Sequence, residues 1–134
     1  IGCHSEEIVR YPLYARAVAG AVARGEYPRG ILLCSTGIGM AIAANKIKGI
    51  RAALCTSHYM AKMTRQHNDA NVLCLGGRIT GIFELIDIAE TWLAHEFIGG
   101  RHTISLDILA GQETEYGLTV PCDHGVELAG NGDT

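Results

Sequence analysis

The stretch Ile31-Leu32-Leu33-Cys34-Ser35-Thr36-Gly37-Ile38-Gly39 passes from an unbroken apolar run straight into a loop carrying two glycines. A short run without polar alternation is what a strand covered on both faces requires. Ile38 to Ile47 then reads as a helix entered through Gly37 and Gly39, with Gly49 as its stop. The unit is strand–loop–helix, and the same alternation extends to either side. Upstream, Pro12 to Arg24 reads as a helix: Pro12 suits a first turn, and Leu13, Ala17 and Ala21 share one side. Downstream, Arg51 to Cys55 reads as a strand, Ser57 caps a helix reaching Gln66, and Asn71 to Leu75 is a third strand closed by Gly76-Gly77. Ile82, Ile86, Ala89, Leu93 and Phe97 fall at helical spacing and give a long amphipathic helix, followed by a short helix around Ser105 to Leu109.

Strands alternating with helices imply an α/β fold, a three-layer sandwich with a Rossmann-like parallel sheet and helices on both faces. Such sheets bind ligands at their carboxyl edge, so the junctions after Leu33, Cys55 and Leu75 are the places for chemistry. A length of 134 residues fits one domain, and an apolar share of 48% is enough for a core without staples. The net charge of −3 and the lack of a basic-aromatic stripe exclude nucleic acid as the expected partner. No apolar run reaches the roughly 18–20 residues that cross a membrane, and no secretory signal is visible. The five cysteines (Cys3, Cys34, Cys55, Cys74 and Cys122) are odd in number and form no CxxC pair. This argues against a disulfide framework or a structural zinc site and points to a reducing, cytoplasmic compartment. Cys55 and Cys74 lie in apolar runs and read as small buried hydrophobes.

Cys34 differs because it stands where a strand meets the glycine loop. Glycines let the backbone approach a ligand, and successive N–H groups at a helix start favour negative charge. A thiol there ionises more readily, and Thr36 adds a hydroxyl donor. These parts suit a base removing a proton beside a developing oxyanion, although a tight strand-to-helix turn also accounts for the glycines. The loop lacks the Gly-x-Gly-x-x-Gly fingerprint and the Gly-Lys-Ser/Thr ending of a P-loop. Met40 stands where a cysteine phosphatase would need arginine. A second cluster, Arg65-Gln66-His67-Asn68-Asp69, offers a proton-transferring histidine and an asparagine fit for sugar hydroxyls; alone it also reads as a solvated helix end. Gly76-Gly77-Arg78 and Gly99-Gly100-Arg101-His102 place arginines beside glycine pairs, where they can grip phosphate. Together these groups favour an anionic substrate.

The segment from Ile31 to Lys46 closely resembles the central motif of the type-B ribose-5-phosphate isomerases, whose relatives include galactose-6-phosphate isomerase. The resemblance extends through Ser5-Glu6-Glu7, Tyr11-Pro12, Arg65 to Asp69, Gly76 to Arg78 and Gly99 to His102, in the family's order and spacing. It implies an aldose–ketose isomerase of a small phosphorylated sugar, first of all ribose 5-phosphate/ribulose 5-phosphate, working through an enediol(ate) without metal or cofactor. Cys34 resembles the base; some family members use a glutamate shortly after the loop, where this chain has Met40. Thr36 and the N–H groups of Ser35, Gly37, Ile38 and Gly39 would hold the oxyanion. His67 would open the sugar ring, Asn68 would bind substrate oxygens, and Arg78 and Arg101 would bind phosphate. The family builds each site from two subunits, which implies a homodimer or tetramer.

Two departures qualify the resemblance. Ser105 stands where family members often carry a further arginine, which leaves other four- to six-carbon sugar phosphates open. The family's opening strand, ending in Cys-Asp-His-Gly, does not open this chain, yet Leu118-Thr119-Val120-Pro121-Cys122-Asp123-His124-Gly125 looks like it. Residues 113–134 are therefore expected to supply that strand, within the chain or in trans, with Asp123 binding sugar hydroxyls and His124 helping to hold substrate. The rival expectation is a non-catalytic sugar-phosphate-binding subunit of a hetero-oligomeric isomerase. The intact Cys34, Thr36 and His67 speak against it.

Overall fold

The computed structural model describes residues 1–123. Its elements run α1 (Tyr11–Ala23), β1 (Gly30–Cys34), α2 (Ile38–Ala44), β2 (Ala52–Leu54), α3 (His58–Asn68), β3 (Val72–Gly76), α4 (Ile82–Ala94) and α5 (Arg101–Glu115). The strands pair in the order β1-β3-β2, all parallel, with Gly30 opposite Val72 and Cys34 opposite Gly76. This is the α/β sandwich expected from the alternation.

The central strand β3 shows why the apolar run Val72-Leu73-Cys74-Leu75 carries no polar alternation. All five of its residues are buried. Side chains alternate across a strand, and here Val72 and Cys74 join Tyr14, Ala15, Ala19, Leu32, Met40 and Ala44 in the layer under α1 and α2. Leu73 and Leu75 join Cys55, Ala61, Leu85, Ile88 and Trp92 under α3 and α4. Burial pushes the Cys55 thiol up to about 11 and that of Cys74 up to about 12, so both stay protonated and behave as apolar filling.

Three boundaries differ from the sequence reading. Helix α2 ends at Ala44, because Asn45 turns away and clamps Ala52 from both sides: its Oδ1 accepts from the Ala52 N–H and its Nδ2 donates to the Ala52 carbonyl, each at 2.8 Å. Helix α4 stops at Ala94, short of Phe97. Helix α5 spans 15 residues where only a short helix was expected, and none of its residues is buried. With no stripe packed on this chain's own core, its apolar pattern gave little helical signal.

The end of the described chain stays outside the sheet. Thr119 forms a lone parallel bridge with Ile47, and the Pro121 carbonyl accepts from Arg24 at 3.2 Å. Among the described residues no strand pairs with the outer edge of β1, so Leu118 to Asp123 do not fill that place within the chain, and the rest of the expected segment, residues 124–125, lies outside the described residues. Among those residues, too, no helix is long and apolar enough to cross a membrane.

Leu73 lies fully buried at the centre of the sheet. Truncation Leu73→Ala is expected to lower the unfolding free energy by about 2–5 kcal/mol, read from the denaturation midpoint at unchanged m-value.

Candidate active site

Two half-sites emerge, each built by a different end of the strands. The first forms where β1 ends. Gly37 adopts a left-handed backbone (φ 77°), and an added Cβ would lie 2.6 Å from a Leu54 methyl and 2.9 Å from the Leu75 carbonyl carbon. Glycine is therefore required, both for conformation and for space. Gly76 is equally confined, since a Cβ there would meet the Thr36 carbonyl at 2.7 Å. These close approaches fold the loop tightly over the end of β3. The Gly37 N–H then points at Cys34 Sγ, 3.1 Å away, and the Ile38 N–H donates to Thr36 Oγ1 at 3.3 Å. Among the described residues the Thr36 hydroxyl is seen to donate to no acceptor, so it can meet a ligand oxygen.

Beyond β3 the chain keeps following this loop. Gly77 N–H donates to the Cys34 carbonyl at 2.8 Å and Arg78 N–H to the Ser35 carbonyl at 2.9 Å. This places exposed Arg78 at the same edge as Cys34. Cys34, Ser35, Thr36, Gly39 and Met40 line one cavity of about 720 Å³ together with Tyr11, Tyr14 and the outward-facing Ile31 and Leu33.

The second half-site gathers where α3 ends. Ser57 caps the start of this helix, its hydroxyl accepting from Met60 N–H at 3.3 Å. Asp69 closes the helix in a left-handed conformation (φ 45°). The Asp69 carboxylate meets Arg65 at 2.9 Å and Arg51 at 3.1 Å. Arg65 is buried; it also donates to the Ala70 carbonyl at 2.6 Å and lies over the Trp92 ring. Its role is to fix the end of α3, a function the sequence reading missed by treating the segment as a polar helix end. Behind it, Arg29 and Arg65 hold the Glu96 carboxyl below the usual carboxylate range, Arg29 being the larger influence. Across from this end, Gly99 and Gly100 (φ 66° and 61°) turn the chain into α5, and Ile98 N–H donates to the Gln66 carbonyl at 3.1 Å. The turn brings His102 face to face with His67, ring centroids 4.1 Å apart and planes 9° from parallel. Asn68 and Arg101 are exposed beside them. His102 carried no role in the sequence reading; the signal was a histidine directly after an arginine in a glycine-pair motif.

The structure brings Cys34, Ser35, Thr36, Gly37, Ile38, Gly39 and Arg78 together, and separately His67, Asn68, Arg101 and His102. It does not join the two sets within one chain. Cys34 ends β1 at the carboxyl edge, whereas His67 and Asn68 end α3 at the amino edge, just before β3 begins. Helix α3 crosses the sheet over its 11 residues, about 16 Å at 1.5 Å each. Asp123 lies elsewhere, lining a small cavity with Arg16, Arg24 and Glu26. His124 lies outside the described residues.

Comparison with known proteins follows this geometry. The profile of the family described as Ribose/Galactose Isomerase matches residues 1–109. The chain is 50% identical over 105 residues to the putative sugar phosphate isomerase YwlF of Bacillus subtilis, covering 78% of this chain and 70% of that one. It is 46% identical over 112 residues to ribose-5-phosphate isomerase B of Escherichia coli, covering 84% and 75%. Among solved structures, ribose-5-phosphate isomerase B of Clostridium thermocellum superimposes with a TM-score of 0.85 at 51% identity, covering 87% of this chain and 78% of that one.

Because Arg65 anchors the second half-site, Arg65→Ala is expected to cost about 2–3 kcal/mol of stability in chemical denaturation, from lost charge-assisted hydrogen bonds. Arg65→Lys is not expected to restore it, since one ammonium cannot span the Asp69, Glu96 and Ala70 acceptors.

Proposed function

The chain belongs to the ribose/galactose isomerase family, and from that membership we propose that it interconverts ribose 5-phosphate and ribulose 5-phosphate at sites each completed by two copies of the chain. The observation that carries the reading is the Cys34 loop. A sulfur stands at the carboxyl edge of the sheet with a backbone N–H on it, a hydroxyl beside it and an arginine on the adjoining loop.

The reaction needs a base that takes a proton from C2 of the open-chain aldose and returns it to C1. Cys34 thiolate fills that role. As the proton leaves, negative charge develops on the enediolate oxygens, and the Thr36 hydroxyl with the N–H groups of Ser35 and Gly39 would meet it, those of Gly37 and Ile38 being turned onto Cys34 Sγ and Thr36 Oγ1. Before this, the furanose must open: one group removes the proton on the C1 hydroxyl oxygen and a proton reaches the ring oxygen. His67 supplies that transfer, Asn68 holds sugar oxygens, and Arg78 and Arg101 take the phosphate.

Within one chain His67, Asn68 and Arg101 lie across the sheet from Cys34, so a second copy must bring its own set to the Cys34 cavity. The exposed apolar residues support such pairing. Ile38 and Ile42 on α2, Tyr59 and Met60 on α3, and Ile104, Ile108 and Leu109 on α5 all face outward, and large apolar side chains exposed on three helices suit contact with another chain. A homodimer, or a tetramer of such dimers, also gives α5 the packing it lacks here.

Cys34→Ala is expected to retain the fold by circular dichroism and to lose about 10²–10⁴-fold in ribose 5-phosphate isomerisation, the usual loss on removing a positioned base. Full activity in that variant would remove Cys34 from its role. Wild-type protein that binds the sugar phosphate yet incorporates no deuterium from heavy water would favour a binding subunit instead.

A further inference from the structure

The stacked pair His67–His102 is not explained by the roles assigned so far. We propose that His102 is a positioning residue for ring opening: its imidazole, lying flat on His67, fixes the plane of that ring. This rests on the reading that His67 opens the sugar ring.

His67 is held by its neighbour in the stack. Among the described residues no hydrogen bond is seen to either ring, whereas His95 is held through Nδ1 at 2.7 Å from the Thr91 carbonyl. The face contact with His102 is therefore the restraint on the His67 ring plane. That contact is built rather than incidental. The glycine pair Gly99-Gly100 and the hydrogen bond from Ile98 to the Gln66 carbonyl set the first turn of α5 directly against the end of α3.

His102 holds a proton less readily than a free imidazole. Desolvation lowers its proton affinity first, with His67 and then Arg101 adding to the effect. Its place in the first turn of α5, at the positive end of a 15-residue helix, acts the same way. The other charged groups at this end are Arg65 and Asp69 of α3 and its cap, which are engaged with each other and with Arg51 and Glu96. A group that passes a proton from the C1 hydroxyl to the ring oxygen needs a fixed direction, and the stack supplies it.

The substrates themselves separate this role from others. Ribose 5-phosphate closes to a furanose and must be opened. Ribulose 5-phosphate has its O5 esterified, so no hydroxyl is placed to close a five-membered ring onto C2, and its enolisation needs no opening. The test measures kcat and KM on ribose 5-phosphate, deuterium incorporation at C1 of ribulose 5-phosphate in heavy water, and the His67 ring C–H resonance, for wild type, His102→Ala and His102→Phe. His102→Ala is expected to lower kcat on the aldose about tenfold, a part of the usual acid–base contribution, with KM and deuterium incorporation within about twofold. His102→Phe, which keeps a flat ring, is expected to restore most of that kcat. The His67 resonance is expected upfield in wild type and His102→Phe, and shifted downfield in His102→Ala.

Equal losses on both substrates, or a raised KM that phenylalanine does not repair, would make His102 a phosphate ligand or a packing residue and overturn the proposal. An unmoved His67 resonance would overturn the stack while leaving the isomerase reading intact. Wild-type protein that neither isomerises the aldose nor exchanges deuterium would overturn the isomerase reading, and this proposal with it.

Discussion

Parallel pairing of β1 with β3 constrains everything else in this molecule. Parallel strands send all their carboxyl ends to one edge, and each crossover helix carries the chain back to the other. With Cys34 opposite Gly76, the Cys34 loop and the Gly76-Gly77-Arg78 turn are forced into contact. Their N–H and carbonyl groups pair, and Gly37 and Gly76 are the residues that let the two backbones approach so closely. The same pairing sends the end of α3, with His67 and Asn68, to the amino edge. A chain folded this way presents Cys34 at one edge and His67 at the other, and a site that used both would need two chains.

Each half-site is held by a different kind of force. The Cys34 half depends on backbone geometry: glycine conformation, backbone hydrogen bonds and the buried run of β3. The His67 half depends on side-chain electrostatics. Arg65 is buried, ion-paired to Asp69 and Glu96, hydrogen-bonded to the Ala70 carbonyl and laid over Trp92. Arg51 reinforces the same helix end by donating to the Asn68 and Asp69 carbonyls at 2.9 and 3.1 Å. Rigid placement of both halves matters because a site proposed to join them would tolerate little error in either.

Much of this was legible in the sequence. Ile31 to Cys34 and Val72 to Leu75 announced strands buried on both faces, and Gly37 announced the turn that aims the loop. The Cys34 cluster follows because its members are near neighbours in sequence or sit at successive strand ends. Three things were not legible. Helix α5 packs no buried residue on its own chain, so periodicity said little about its length. Arg65 looked like one more exposed cation, because burial of an arginine depends on where Asp69, Glu96 and Trp92 meet it in space. The His67–His102 stack joins residues 35 apart, and nothing local marks them as a pair. The Asp123 expectation came from a short similarity alone, and its side chain lies beside α1, among Arg16, Arg24 and Glu26.

The proposed sharing of each site between two copies has a direct test. Cys34→Ala and His67→Ala are each prepared, shown to be inactive on ribose 5-phosphate, then refolded together in equal amounts and assayed. If each site takes Cys34 from one copy and His67 from another, half of the randomly formed dimers carry one intact site, and the mixture recovers about a quarter of wild-type activity. A mixture no more active than the sum of its parents would contradict the shared site.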